Sequence, residues 1–297
     1  MRWHRVCGVM ARLRGSLCSL PTRTDRSDHD EGIELSRFDF ERWARRFVVR
    51  CGAVLFGVVL TFLPASPSPA APIGVQYQEG VIRAFPVLRS LNGERLAQGD
   101  YVQVARGDLV TTRLVFRFAD GSVHDETVVF SQGGLLRLLS YRIVQRGPSF
   151  PETIEGSLER ETGHYEVRYR PDADSPEEFR SGTFVIPDDA YNGMLSLVVK
   201  NLPPGASATV SIVAFTPQPR SVTLQLRPVT EEAVHVGDAT VVAIRYHIRP
   251  ELGLFASLLV TDIPDTRIWI LPGAAPAFLR AEGPLYFMGP IWRIEPY

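Results

Sequence analysis

Cysteine is scarce in this chain of 297 residues. The three cysteines are Cys7, Cys18 and Cys51, and none occurs in the long remainder of the sequence. That remainder cannot form disulfides, supply a thiolate nucleophile or build a zinc site from cysteine ligands. Its stability must therefore come from a packed core.

The sequence also lacks the short motifs that mark common active sites. It contains no Gly-x-Ser-x-Gly elbow, no Gly-x-Gly-x-x-Gly fingerprint, no phosphate-binding loop and no His-Glu-x-x-His pair. We therefore assign no catalytic residue, no metal ligand and no cofactor, and we favour a function other than catalysis.

Lysine occurs once, as Lys200, and the 32 basic side chains nearly balance the 33 acidic ones. Residues 1–70 hold 11 arginines and 7 acids, whereas the rest of the chain holds 21 basic and 26 acidic side chains. A mildly acidic domain has no electrostatic attraction for nucleic acid or for anionic lipid headgroups. We therefore expect no nucleic-acid partner.

One long apolar run, residues 47–64, separates two parts of different character. Its uninterrupted core, residues 51–63, has the length of a signal-peptide core and is shorter than the roughly 20 residues of a spanning helix. Arg42, Arg45, Arg46 and Arg50 precede this core, and Ser68-Pro69-Ala70 supplies small residues for cleavage after Ala70. The segment 47–70 is therefore read as a signal peptide, with an uncleaved signal-anchor as the alternative. Transient membrane contact is expected through residues 47–63.

The segments on either side of this run receive separate interpretations. Residues 1–46 are Arg-rich and carry no apolar periodicity, so they are either disordered or an N-terminal extension from a mis-assigned start. Residues 71–297 are expected to be a single all-β exported domain. We expect a periplasmic location, with anchoring in the inner membrane by residues 47–63 as the alternative.

Short strand-like runs alternate with turn residues throughout residues 73–297. Asp120-Gly121 between the runs 109–118 and 123–131 predicts a hairpin, because glycine tolerates the positive φ of the turn. In the run 164–170, tyrosine and valine alternate with charged residues, as in a sheet with one solvated face. The pattern predicts a mainly β protein, an antiparallel sandwich or barrel.

A single helix is predicted at about residues 189–202. Tyr191, Met194, Leu195 and Val198 recur at helical spacing, and Pro203-Pro204-Gly205 ends the pattern. Asp188 before this segment is a suitable N-cap, because its carboxylate can accept hydrogen bonds from the first free N–H groups.

The densest ionisable cluster is His124-Asp125-Glu126. Adjacent residues of a strand point to opposite faces, so the three side chains cannot converge on one metal ion without a bulge. We interpret the cluster as part of a solvated hairpin.

Two further candidates also have simple structural interpretations. Asp188 and Asp189 are explained by capping of the predicted helix rather than by acid–base chemistry. His247 shares one strand face with Arg245 and is interpreted as a solvated strand histidine.

With an export signal, a continuous series of strands and one amphipathic helix, the chain resembles a group of uncharacterised exported bacterial proteins. Their fold is similar to that of the periplasmic lipoprotein-carrier and receptor family. The resemblance rests on Asp120-Gly121-Ser122, Pro148-Ser149-Phe150-Pro151, residues 188–193 and Arg267-Ile268-Trp269-Ile270. It implies a strongly curved antiparallel sheet, or half-barrel, with a helix packed on its apolar hollow.

From this resemblance we expect a non-enzymatic envelope protein that binds an apolar ligand, such as a lipid or a lipidated molecule, or an envelope partner. Tyr191, Met194, Leu197 and Trp269 are the candidate residues that line the ligand site. Two alternatives remain open: an envelope hydrolase whose residues lie far apart in sequence, and a structural envelope module.

Overall fold

The computed structural model describes residues 72–251 and 264–296. The apolar run and the predicted cleavage site after Ala70 lie outside the described residues. The described part belongs to one compact unit and contains 15 strands and, within these ranges, one helix. The strands are β1 (Ile82–Ala84), β2 (Val87–Ser90), β3 (Arg95–Arg106), β4 (Leu109–Phe118), β5 (Val123–Ser131), β6 (Arg137–Arg146), β7 (Thr153–Glu159), β8 (His164–Arg170), β9 (Glu178–Thr183), β10 (Ala208–Phe215), β11 (Pro219–Val236), β12 (Ala239–Pro250), β13 (Thr266–Leu271), β14 (Ala277–Gly283) and β15 (Trp292–Glu295).

All strands join one antiparallel sheet, which confirms the predicted mainly β half-barrel. Strands β2 to β9 pair in chain order, strands β10 to β15 do the same, and β15 pairs with β2. The two series thus meet in the middle of the sheet, and β9 and β10 are its two edges. The short strand β1 pairs beside β2 on β3. The sheet is not closed, since β9 and β10 do not pair along the described chain.

The predicted hairpin between β4 and β5 is present. Gly121 has φ +85°, and the amide of Ser122 donates to Oδ1 of Asp120 at 2.8 Å. The aspartate side chain thus satisfies a turn amide while the glycine adopts the left-handed backbone. Strand β8 also shows the predicted alternation, with Val167 buried and Glu166 and Arg168 exposed.

The helix α1 (Leu195–Asn201) begins at Leu195 rather than near Asp189. Gly193 has φ +64°, a left-handed conformation that interrupts helical geometry before this point. The prediction that Asp188 is the N-cap was wrong. The capping position is Met194, which provides no side-chain hydrogen bond. Asp188 instead accepts from Arg160 at 3.1 Å on the surface.

The segment before the helix covers the edge of β10. Ser211 donates its amide to the carbonyl of Asp189 at 2.8 Å, and the amide of Tyr191 donates to the carbonyl of Ser211 at 2.9 Å. Nδ2 of Asn192 donates a hydrogen bond to the carbonyl of Val213, and Oδ1 of Asn192 accepts one from the Val213 amide, each at 2.8 Å. These contacts pair edge groups that would otherwise be open to another strand.

One face of the sheet, called here the inner face, carries the main core and the helix. On β13 the alternation is plain: Ile268 and Ile270 enter the main core, whereas Trp269 between them joins a separate cluster on the outer face. A second inner-face cluster contains the packed aromatic rings of Phe118, Phe150 and Trp292.

Candidate functional site

Four inner-face side chains form a line across β3, β4, β5 and β6. The register places Tyr101 beside Leu114, Leu114 beside Glu126 and Glu126 beside Ile143. Each of the four is only partly buried. We call these four residues the accessible row.

The rows on either side of the accessible row are closed. On the side of the main core, the adjacent row is fully buried; it consists of Gln103, Thr112, Val128 and Tyr141. On the other side the adjacent row is also buried; it consists of Gly99, Phe116, His124 and Gln145. From the partial exposure of this row between two buried rows we infer that it borders a recess on the inner face.

Glu126 is the ionisable group of this recess. Its Oε1 accepts a hydrogen bond of 2.9 Å from the hydroxyl of Tyr141, and its Oε2 has no hydrogen-bond partner along the described chain. Burial raises the pKa of Glu126, and the Tyr141 hydrogen bond partly offsets that increase. Burial and the nearby Glu126 charge together raise the pKa of Tyr141.

The turn before the helix lies directly against Glu126. A Cβ atom on Gly193 would lie 3.2 Å from Oε2 of Glu126 and 2.5 Å from Cγ2 of Val128. The absence of a side chain at Gly193 is therefore what allows this turn to approach the carboxylate. The same turn carries Asn192, so one segment both covers the β10 edge and borders the recess.

A buried polar network supports Tyr101 at the other end of the row. The Tyr101 hydroxyl donates to Oε1 of Gln103 at 2.8 Å, and Nε2 of Gln103 donates to Oε2 of Glu79 at 3.1 Å. Glu79 in turn pairs with Lys200 of the helix at 2.5 Å. Burial, followed by the charges of Glu79 and Glu126, raises the pKa of Tyr101.

His124 lies inside rather than in the solvated hairpin that the sequence predicted, and that interpretation was wrong. Its side chain is 3% exposed, and its Nδ1 lies 2.9 Å from Nε2 of Gln145. Burial lowers the pKa of His124 to about 4, so the ring is neutral at pH 7 and Nδ1 accepts from the Gln145 amide. Asp125 points to the opposite face, as the alternation required, and pairs with Arg113 at 2.6 Å.

Three of the four predicted ligand-lining residues share one core cluster, and the fourth lies apart from them. Tyr191, Met194 and Leu197 lie in the main core, each less than a tenth exposed. Trp269 lies on the outer face, where its Nε1 donates to Glu232 at 3.2 Å. His247 is partly buried beside Arg267, and burial is the first cause that lowers its pKa.

A groove of about 420 Å³ lies elsewhere, where β3 and β4 pass Phe85. It is lined by residues from both faces of the sheet, including the exposed Arg95 and Arg117. Its one carboxyl, Asp100, already has a cation, Arg83, at 3.8 Å, whereas Glu126 has none along the described chain, so we regard the recess as the stronger site.

No relative assigns roles to these residues. Comparison of the chain with protein-family models, with curated proteins and with solved structures found no significant match. In residues 72–251 and 264–296, no three His, Asp or Glu side chains are grouped so that they could hold a metal ion. Over the same residues, no helix is both long enough and apolar enough to cross a bilayer.

Proposed function

We propose that this chain is a non-enzymatic exported protein that binds an apolar ligand, a lipid or a lipidated molecule, in the recess of its half-barrel. The observation that supports this function is the accessible row between two buried rows. A core that served only to stabilise the fold would be packed at close to crystal density, without a line of partly open positions. Leu114 and Ile143 in that row offer apolar surface for a hydrocarbon chain.

The proposed site differs from the one that the sequence indicated. Tyr191, Met194 and Leu197 are packed in the main core, so Leu114 and Ile143 replace them as the proposed ligand contacts. Ligand pockets are usually apolar with a few placed polar groups. The accessible row has this composition. Leu114 lies between Tyr101 and Glu126, and Ile143 lies on the other side of Glu126.

Export is the second part of the proposal. The apolar run 47–63 directs the domain out of the cytosol, and cleavage follows Ala70. N-terminal sequencing of the protein from the envelope fraction should then begin at Ala71. A chain that retains residues 1–70 would favour the inner-membrane anchor, and a chain found only in the cytosol would exclude export.

The test of binding uses the full chain purified from its own envelope. Native mass spectrometry should show a co-purifying lipid or lipidated molecule. After removal of that ligand, a neutral fluorescent probe of apolar sites should bind. Ile143→Phe, which adds volume in the recess, should weaken probe binding about tenfold.

The matched control is Val104→Phe. Val104 lies on the outer face of β3 and is 37% exposed, so the same added ring should leave binding unchanged. No co-purifying molecule, no probe binding and no difference between the two variants would together exclude the proposed function.

A further inference from the structure

We propose that the ligand of the recess carries a protonated amine, that this ammonium group binds at the free Oε2 of Glu126, and that the hydroxyl oxygen of Tyr101 supplies a further acceptor in the same row. The inference rests on the proposed function, since it names the class of ligand: a long-chain cationic amphiphile. Its apolar chain would lie on Leu114 and Ile143.

The polar atoms of the accessible row differ in whether they can still form a hydrogen bond. Oε1 of Glu126 is already bonded by Tyr141, whereas Oε2 has no partner within the described ranges. The Tyr101 hydroxyl gives its proton to Gln103, so its oxygen is left as an acceptor. The row therefore offers acceptors and no free donor, and an ammonium group, with three donors and no acceptor, is the complementary ligand group.

The second step concerns charge. The ionisable groups that face Glu126 are Tyr101 on β3, Tyr141 on β6 and His124 on its own strand, and burial keeps His124 neutral at pH 7. The turn packed on the carboxylate presents Gly193, which carries no charge. No ion pair includes Glu126 along the described chain, whereas Glu79 is neutralised by Lys200.

An ionised Glu126 therefore has no compensating charge of its own. Burying a charge without a partner is unfavourable, so a cation supplied by the ligand is favoured there. A carboxylate headgroup would place two like charges side by side and is disfavoured. A neutral alcohol is neither attracted nor repelled by the charge of Glu126.

The test compares four ligands of equal chain length on the purified, ligand-free full chain: dodecylamine, dodecyltrimethylammonium, dodecanol and dodecanoate. The affinity of each ligand is measured by displacement of a neutral fluorescent probe. Each ligand is kept below the concentration at which it forms micelles. Dodecylamine should bind about tenfold tighter than dodecanol and dodecanoate, as expected for a charge-assisted hydrogen bond. The trimethylammonium compound, which lacks N–H donors, should fall between.

Acidification and substitution give two independent readouts. Burial raises the pKa of Glu126, and lowering the pH through its titration protonates the carboxyl, so amine binding should weaken while dodecanol binding stays constant. Glu126→Gln should reduce dodecylamine to the affinity of dodecanol and remove the pH effect. Asp125→Asn, next in sequence but on the outer face, should change neither.

The outcomes separate the two proposals. Equal binding of the four ligands would overturn the proposal that the ligand carries an amine, but it would leave the proposed binding function in place. Tighter binding at low pH would also overturn it, because a protonated Glu126 would then be acting as a donor. No binding of any ligand or of the probe would overturn the proposed function itself. The four-ligand series on the unaltered protein decides the matter even if Glu126→Gln does not fold.

Discussion

Nζ of Lys200 lies 2.5 Å from Oε1 of Glu79, and both side chains are nearly excluded from solvent. The pair joins the last turn of the helix to the segment that leads into β1. Lys200 is the single lysine of the chain, in a protein whose other basic side chains are all arginine. Its positive charge also lies at the C-terminal end of the helix, where the helix dipole favours a cation.

Loss of the lysine charge should strongly destabilise the fold. Lys200→Met leaves the Glu79 carboxylate buried and unpaired, which costs about 3–5 kcal/mol of unfolding free energy. Urea denaturation followed by circular dichroism measures this change. The double variant Lys200→Met/Glu79→Gln should recover most of the loss, because no charge is then left without a partner.

The control for this prediction is an exposed ion pair. Arg142 and Glu155 lie 2.6 Å apart, but each side chain is 46% exposed. Arg142→Met should therefore cost less than about 1 kcal/mol. Equal losses for Lys200→Met and Arg142→Met would show that the buried pair has no special role.

Stability should fall in mild acid because of His124. Burial lowers its pKa to about 4 in the folded protein, whereas the pKa of a solvent-exposed histidine is about 6.5. Between these values the unfolded chain binds the extra proton, so the free energy of unfolding decreases as the pH drops, by about 3 kcal/mol in total.

His124→Gln isolates this effect. Glutamine keeps an acceptor for Gln145 but does not titrate, so its stability should depend less on pH between about 6.5 and about 4. The raised pKa of Glu126 acts in the opposite direction in both proteins and cancels in the comparison. Parallel stability curves for the two proteins would refute the assignment.

Gly193 should not tolerate a side chain. Alanine there combines a left-handed backbone with a Cβ 2.5 Å from Val128, and we expect a loss of roughly 2–4 kcal/mol. Gly205 has φ +76° but open space around its Cα, so Gly205→Ala should cost only about 1 kcal/mol. Thermal unfolding of both variants separates the backbone term from the clash.

Much of this sheet can be predicted from alternation alone. The bounds of β4, β5 and β8 agree with the strand-like runs in the sequence, because each run is framed by turn residues. Strand β3 was not predicted, since Gly99 interrupts its pattern. A Cβ there would lie 2.7 Å from Pro86, so the glycine reflects a close approach of two backbones that sequence does not reveal.

The site was less accessible to sequence reasoning. Strand β5 alternates, but both of its faces carry polar residues near His124, so the pattern does not indicate which face is buried. The signal was Val128 and Phe130, which share a face with His124 and Glu126 and enter the main core. Following that parity would have placed both ionisable residues inside. The pairing of β15 with β2, which connects the two halves of the sheet, has no local signal at all.

Asn192 offers a final prediction, because its side chain substitutes for a missing strand at the β10 edge. Asn192→Ala leaves the buried N–H and C=O of Val213 without partners, which should cost roughly 2–4 kcal/mol. Amide hydrogen exchange should show lost protection at Val213 and unchanged protection at Val167, which lies on β8, outside this contact. The freed edge should also increase self-association, measured by light scattering. If protection at Val213 persisted in the variant, the edge would have to be covered by something other than this turn.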